Sequence, residues 1–278
     1  MLRFLRTLTI LGLLQAVFLP SSHAFPVADS GDQESAKSLS ISVGEWPPFL
    51  SADLPHYGVA GHLIKDVFHN IGYHVSFTFL PWARAYQAAA SSRYDATAVW
   101  MHQADRENDF LYSEPVLNEN FVFFYHKDNP LEWESLADLE GKLVGGALAY
   151  SYGPAFDQAV KDNLFTMLRV SSTEQNLRML AAGRIDFFAE ELSVAYYTLL
   201  NNTPELAGDI LHHPKRLLVN QSYLLFPKRD PSSTELAAAF NEQLKVFKED
   251  GRYQAYFDRL RRGYYRPSQR PASTSSNN

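Results

Sequence analysis

The sequence contains no cysteine. That one absence excludes a disulfide framework, thiol catalysis and thiolate metal sites together, and leaves the burial of apolar surface to hold the fold. It also excludes a lipid-anchored cysteine behind an N-terminal signal. Positive charge is in short supply as well: Lys and Arg number 25 against 31 Asp and Glu, a formal net charge of −6. An acidic balance lacks the basic face that nucleic-acid phosphates demand. No Walker or dinucleotide glycine pattern is present, and the scattered histidines lack H-E-x-x-H spacing, so neither a metal nor another cofactor is expected. Beyond residue 24 no stretch is apolar enough to cross a bilayer.

The one long apolar run is N-terminal. MLRFLRTLTILGLLQAVFLPSSHA carries two arginines, an apolar core of secretory length and a small-x-small ending at Ser22-His23-Ala24, which reads as a cleaved signal with Phe25 opening the mature chain. Removing 24 residues from 278 leaves about 254, enough for one large or two modest domains. Losing Arg3 and Arg6 takes the formal charge from −6 to −8. Residues 25–37 are polar, and residues 266–278 form a low-complexity tail expected to be disordered. RLRRGYY (259–265) reads as a solvated helix end.

Between these ends the chain alternates two periods. SLSISVG (38–44), HVSFTFLP (74–81) and YDATAVWM (94–101) read as strands; GHLIKDVFHNIG (61–72) and PWARAYQAAASSR (81–93) read as helices. The rhythm repeats from residue 141: GKLVGGAL, GPAFDQAVKDN, FTMLRVS, TEQNLRMLAAG and RIDFFAE alternate strand and helix. This is the pattern of mostly parallel sheets covered by helices. ENFVFFYHKDNP (119–130) and NQSYLLFPKRDP (220–231) are alike, each an aromatic-rich run ending in Lys, an acid and Pro, and they read as crossover strands between two lobes. The predicted layout is a signal at 1–24, a first lobe of 38–122 plus 226–265, a second lobe of 123–225 and the tail. A closing helix over 233–262 would cap the first lobe.

GYHVSFTFLPWARAYQAAASSRYDA, DREN-DFLYSEPV, LADLEGKLVGG and LRMLAAGRIDFFAEE occur in an order and spacing that together resemble the family 3 periplasmic solute-binding proteins, the polar amino-acid receptors of ABC importers. The resemblance covers nearly the whole mature chain. It implies an α/β, two-lobed periplasmic-binding-protein fold of type II with two crossover strands as hinge. It also implies a monomer that binds a small ligand, and a permease in the inner membrane as partner.

The resemblance also implies residue roles. Arg106 falls where the family grips the ligand's carboxylate, and a planar guanidinium presents paired donors suited to both carboxylate oxygens. The bland alternative is an ordinary surface charge. Trp82 falls where an aromatic stacks on the ligand; otherwise it is a core tryptophan under a helix start. Trp46, in the EWPPF loop, either walls the pocket or pins a proline-stiffened loop. Glu191, with Glu190 beside it, stands where an acid would meet the ligand's amino group; otherwise both are solvated acids at a strand end. The chain departs from the family where Ala98-Val99-Trp100-Met101 and Gln103 replace hydroxyl-bearing residues, which makes Trp100 an apolar wall and points to a small carboxylate with an apolar or aromatic body.

Tyr150 and Ser151 admit two readings. They hold the ligand from the second lobe beside the next helix, or Ala149-Tyr150-Ser151-Tyr152-Gly153 imitates a nucleophile elbow, with Asp186 or Asp209 and His212 or His213 completing a hydrolase triad. Two further alternatives keep the fold: a periplasmic dehydratase or lyase using Glu190 or Glu191 as acid or base, and a stand-alone ligand sensor.

Overall fold

The computed structural model of the protein describes residues 37–148, 150 and 152–267. The signal expectation, most of the tail and Ser151 lie outside the described residues. Strand β1 (Lys37–Val43) alternates serine with Leu39, Ile41 and Val43, all three buried. Its parallel neighbour β2 (Tyr73–Phe79) follows helix α1 (Gly58–His69), and β3 (Ala96–Met101) follows α2 (Trp82–Ala90). In α1 the buried Val59, Ala60, Leu63, Ile64, Val67 and Phe68 form the stripe expected of a helix lying on a sheet.

After the short β4 (Phe110–Tyr112), β5 (Leu117–His126) runs through the centre of the molecule. The rhythm then restarts: β6 (Leu143–Ala147), α3 (Pro154–Lys161), β7 (Thr166–Val170), α4 (Thr173–Ala181), β8 (Phe187–Glu191) and α5 (Leu192–Asn201). Strand β9 (Ile210–Pro227) returns beside β5, and α6 (Ser233–Glu249) and α7 (Arg252–Arg261) close the described chain.

The strands lie in the order β2-β1-β3-β9-β5-β8-β6-β7, with β4 also on β9. A parallel trio stands at each end, and the antiparallel β9–β5 pair joins them. This is the two-lobed α/β fold that the sequence pattern suggested. Around the first trio packs a core of β1, α1 and β3 residues with Leu236, Phe240 and Leu244 of α6. Around the second trio, Phe123, Phe156, Phe165 and Phe187 pack on one side and Leu177, Phe188 and Leu199 on the other.

Two expectations, on the closing helix and on the RLRRGYY end, are corrected, and one helix is added. The closing helix is two helices, broken at Gly251, whose φ of 84° is a left-handed turn that favours glycine. A helix, α5, follows β8 directly. The RLRRGYY end is not wholly solvated, because Tyr265 is buried and its hydroxyl pairs with His62 Nδ1 at 2.9 Å.

Phe240 is fully buried and lies with its ring centroid 4.8 Å from Phe68 and 6.4 Å from Phe226. It therefore ties α6 to α1 and to β9. Phe240→Ala is expected to destabilise the fold by about 3–5 kcal/mol, through lost burial plus the cavity left behind. Urea unfolding of the variant against wild type measures it.

Candidate functional site

A cavity of about 430 Å³ lies where the carboxyl ends of β1, β2, β3 and β6 converge. Open parallel sheets bind ligands at this edge, and the volume suits a small molecule. Trp46 comes from the turn after β1, Trp82 and Tyr86 from α2, Val99 and Trp100 from β3, and Arg106 from the loop beyond it. Leu148 and Tyr150 come from the segment after β6, so both halves of the sheet supply wall. Glu119 of β5 and Ser222 of β9 complete the lining from the central pair.

Two backbone features set the aromatic wall. The Trp82 ring lies directly over Gly44, where a Cβ would come within 2.2 Å of two ring carbons, so the close approach requires glycine. Its ring meets Trp100 edge-on at 5.1 Å. In β3, Val99 has a φ of 63°, a left-handed conformation that costs a β-branched residue on the order of 1–3 kcal/mol. The register with β9 jumps there, from Ala98 opposite Leu224 to Trp100 opposite Tyr223. This bulge brings both Val99 and Trp100 to the cavity. The Trp100 indole is then fixed by an N–H donated to Thr97 Oγ1 at 2.8 Å.

Arg106 lies against this wall, its guanidinium carbon 4.8 Å from the Trp100 ring centroid and 5.9 Å from that of Tyr86. One terminal nitrogen donates to the Met101 carbonyl at 2.6 Å. Burial draws the guanidinium below its ordinary value, and the nearby Tyr112 and Tyr86 partly offset this. No carboxylate pairs with Arg106 among the described residues. It is thus a half-buried cation held by carbonyl and aromatic faces, able to accept an anion.

On the opposite side Trp46 is held by a turn in which its N–H donates to the Leu50 carbonyl at 2.7 Å and its ring packs 4.8 Å from Phe49. Its indole N–H is buried without a partner among the described residues. The Tyr150 carbonyl accepts from Arg169 at 2.7 Å, and its ring meets Phe121 edge-on.

The structure therefore gathers Arg106, Trp82, Trp100, Trp46 and Tyr150 in one cavity. It does not bring Glu190 and Glu191 to that lining. Both are 1% exposed, neither solvated nor facing the cavity. Glu191 caps α5, accepting from the N–H of Ser193 at 2.6 Å and Val194 at 3.0 Å; such a cap satisfies orphan amides of a first helical turn. Glu190 accepts from the Thr173 hydroxyl at 2.8 Å and from the Glu191 N–H at 2.9 Å. The groups named for a hydrolase triad are engaged elsewhere: Asp209 with Lys127, Asp186 with the Leu143 N–H, His212 with the Tyr196 hydroxyl and His213 against Trp133. Among the described residues no cluster of His, Asp and Glu is placed to hold a metal ion.

Sequence reading missed Glu119, Tyr86, Gly44 and Ser222. For Glu119 a signal existed: Leu117, Glu119, Phe121 and Phe123 occupy alternate positions of one strand, all buried, and the carboxyl interrupts an otherwise apolar face.

Comparison with known proteins agrees with this geometry. The profile of the bacterial extracellular solute-binding proteins, family 3, matches residues 40–260. The L-cystine-binding protein TcyA of Bacillus subtilis is 27% identical over 214 residues, covering 75% of each chain. The GluR0 ligand-binding core of Nostoc punctiforme, solved with L-glutamate, superposes with a TM-score of 0.64 at 19% identity, over 80% of this chain and 98% of that one. The amino acid ABC transporter substrate-binding protein AbpA of Streptococcus pneumoniae, bound to L-arginine, gives a TM-score of 0.63 at 17% identity, over 82% of this chain and 96% of that one. At such identities the two structures speak to the fold alone.

Burial pushes the Glu190 carboxyl up to about 7 and that of Glu191 up to about 8, from an ordinary 4.5, with hydrogen bonds from neighbouring N–H groups pulling back. The folded chain thus keeps protons that the unfolded chain releases above about pH 4.5. The stability linked to these groups is full below that pH and is lost as pH rises through 7 to 8. The melting midpoint should fall from pH 5 to pH 8.5, and Glu190→Gln should flatten that fall. Thermal melts followed by circular dichroism test this, and equal slopes in the two proteins would contradict it.

Proposed function

The chain belongs to the family 3 bacterial extracellular solute-binding proteins, and on that premise we propose that it captures an amino acid or a related small carboxylate in the aromatic cavity. Membership makes it a binding protein rather than an enzyme. The observation that carries the ligand class is Arg106: a half-buried guanidinium with no carboxylate partner among the described residues, set in a cavity of aromatic faces. A ligand carboxylate would supply the missing anion through a charge-assisted pair, and its body would lie on Trp82 and Trp100.

The lobes we take as 38–122 with 226–265, and 123–225. Support comes from the core residues, which divide into clusters around the two parallel trios. Because Arg106 and Trp82 belong to one half and Tyr150 to the other, a bound ligand would contact both and favour the closed arrangement. An ABC permease in the inner membrane is the partner we propose for delivery; family membership supports it, and the apolar N-terminal run supports export to the periplasm. No helix among the described residues is long and apolar enough to cross a membrane.

Calorimetric titration with L-cystine, L-arginine, L-glutamate and ammonium-free dicarboxylates should find at least one ligand. Arg106→Ala should weaken it by about ten- to a hundredfold, the worth of about 1.5–3 kcal/mol for a hydrogen bond to a charged group. Binding as tight as wild type would remove Arg106 from the site.

A further inference from the structure

Glu119 is fully buried, yet it belongs to the lining of the cavity. One carboxyl oxygen accepts from the Ser222 hydroxyl, and Oε2 has no partner among the described residues. No cation pairs with it among the described residues, in contrast to Asp209, which meets Lys127 at 2.6 Å. A buried carboxylate with one hydroxyl partner and no counter-ion is costly. Its position on β5 is one where Leu117 and Phe121 on either side face the apolar interior, so nothing in the packing calls for an acid.

The surroundings fit a cationic guest. Trp46, Tyr86, Trp100 and Tyr150 present aromatic rings, whose faces attract positive charge. The fixed cation of the cavity, Arg106, already lies against Trp100 and Tyr86 and is matched to an anion. Trp46 adds an indole N–H that is also unpartnered and suits a ligand acceptor atom.

We propose that Glu119, and not Glu191, is the counter-ion for the ligand's ammonium group, so that the site selects zwitterions with carboxylate on Arg106 and ammonium on Glu119. The assignment rests on the proposed function and deepens it. Burial also pushes the Glu119 carboxyl up to about 7, so in the empty cavity it is protonated at mildly acid pH. An arriving ammonium replaces that proton, which passes to solvent, and binding weakens toward tenfold per pH unit below about 7. The other ionisable groups about the cavity are Tyr150 after β6, Tyr86 on α2, and Asp105 and Arg106 after β3. Burial holds Tyr150 well above its ordinary value and pushes Tyr86 up to about 12, and neither phenol nor the guanidinium titrates in this window.

The experiment is calorimetry at pH 6 in two buffers of different ionisation enthalpy, with L-arginine, L-cystine, L-glutamate and succinate. Wild type should release close to one proton per amino acid bound. Glu119→Gln should release none and bind the amino acid at least about thirtyfold more weakly, a loss of the size expected for a hydrogen bond to a charged group. Glu119→Asp, should the amide variant not fold, should keep the proton release and weaken binding at least about fivefold. Wild-type binding without proton release, or a Glu119→Gln variant as tight as wild type, overturns the assignment. A wild type that binds succinate but no amino acid overturns the assignment and leaves Arg106 as carboxylate anchor; one that binds none of these acids overturns the proposed function, and the assignment falls with it.

Discussion

The antiparallel pairing of β5 with β9 is the constraint on which the molecule depends. No strand of one parallel trio pairs directly with a strand of the other; the β9–β5 pair stands between them and joins both into a single sheet. Its residues face both ways along the chain. Leu117 opposite Ser222 belongs with the first half, and His126 opposite Ile210 with the second. Register slips beside Val122 let the ladder twist between them without parting. Because neither strand ends at the boundary, the carboxyl edges of both trios are held against one another, and the cavity exists where they meet.

What the pairing creates, local strain refines. A strand that continued smoothly through residues 98–100 would hold Val99 and Trp100 on opposite faces of the sheet. The bulge at Val99 breaks that alternation, at the expense of an unfavourable backbone angle, and both side chains line the same space. Arg106 then finds two ring faces in place of the carboxylate that most buried guanidinium groups have. The acids of the second half behave differently. Glu190 and Glu191 are used up by a threonine hydroxyl and by backbone amides, and their work is to end β8 and begin α5.

Much of this was legible in the sequence, for physical reasons. The strands of both trios showed alternating or continuous apolar runs, and α1 showed its stripe, because burial on one face leaves a period in the chain. Arg106 and Trp82 were singled out through the family resemblance, Trp100 as a departure from it, and Trp46 and Tyr150 through loops that follow strands; all five line the one cavity. The failures have equally specific causes. Helix α5 follows β8 without an intervening polar turn, because Glu191 serves both as last strand residue and as cap. Strand β9 begins ten residues ahead of its apolar part, in the half-exposed stretch ILHHPKRLLV, where charge and a proline hide the extended conformation. Glu191 was singled out through the resemblance, which carries over a position in the chain but not the cap that this carboxylate makes on α5.

Gly44 carries a different lesson. It is not among the residues that line the cavity. Yet the indole of Trp82 rests where its side chain would have been, so the aromatic wall of the cavity is shaped from behind by a vacant position. The form of the cavity is written partly in what a residue leaves empty, and a catalogue of contacts alone would record the tryptophan while overlooking the space that seats it.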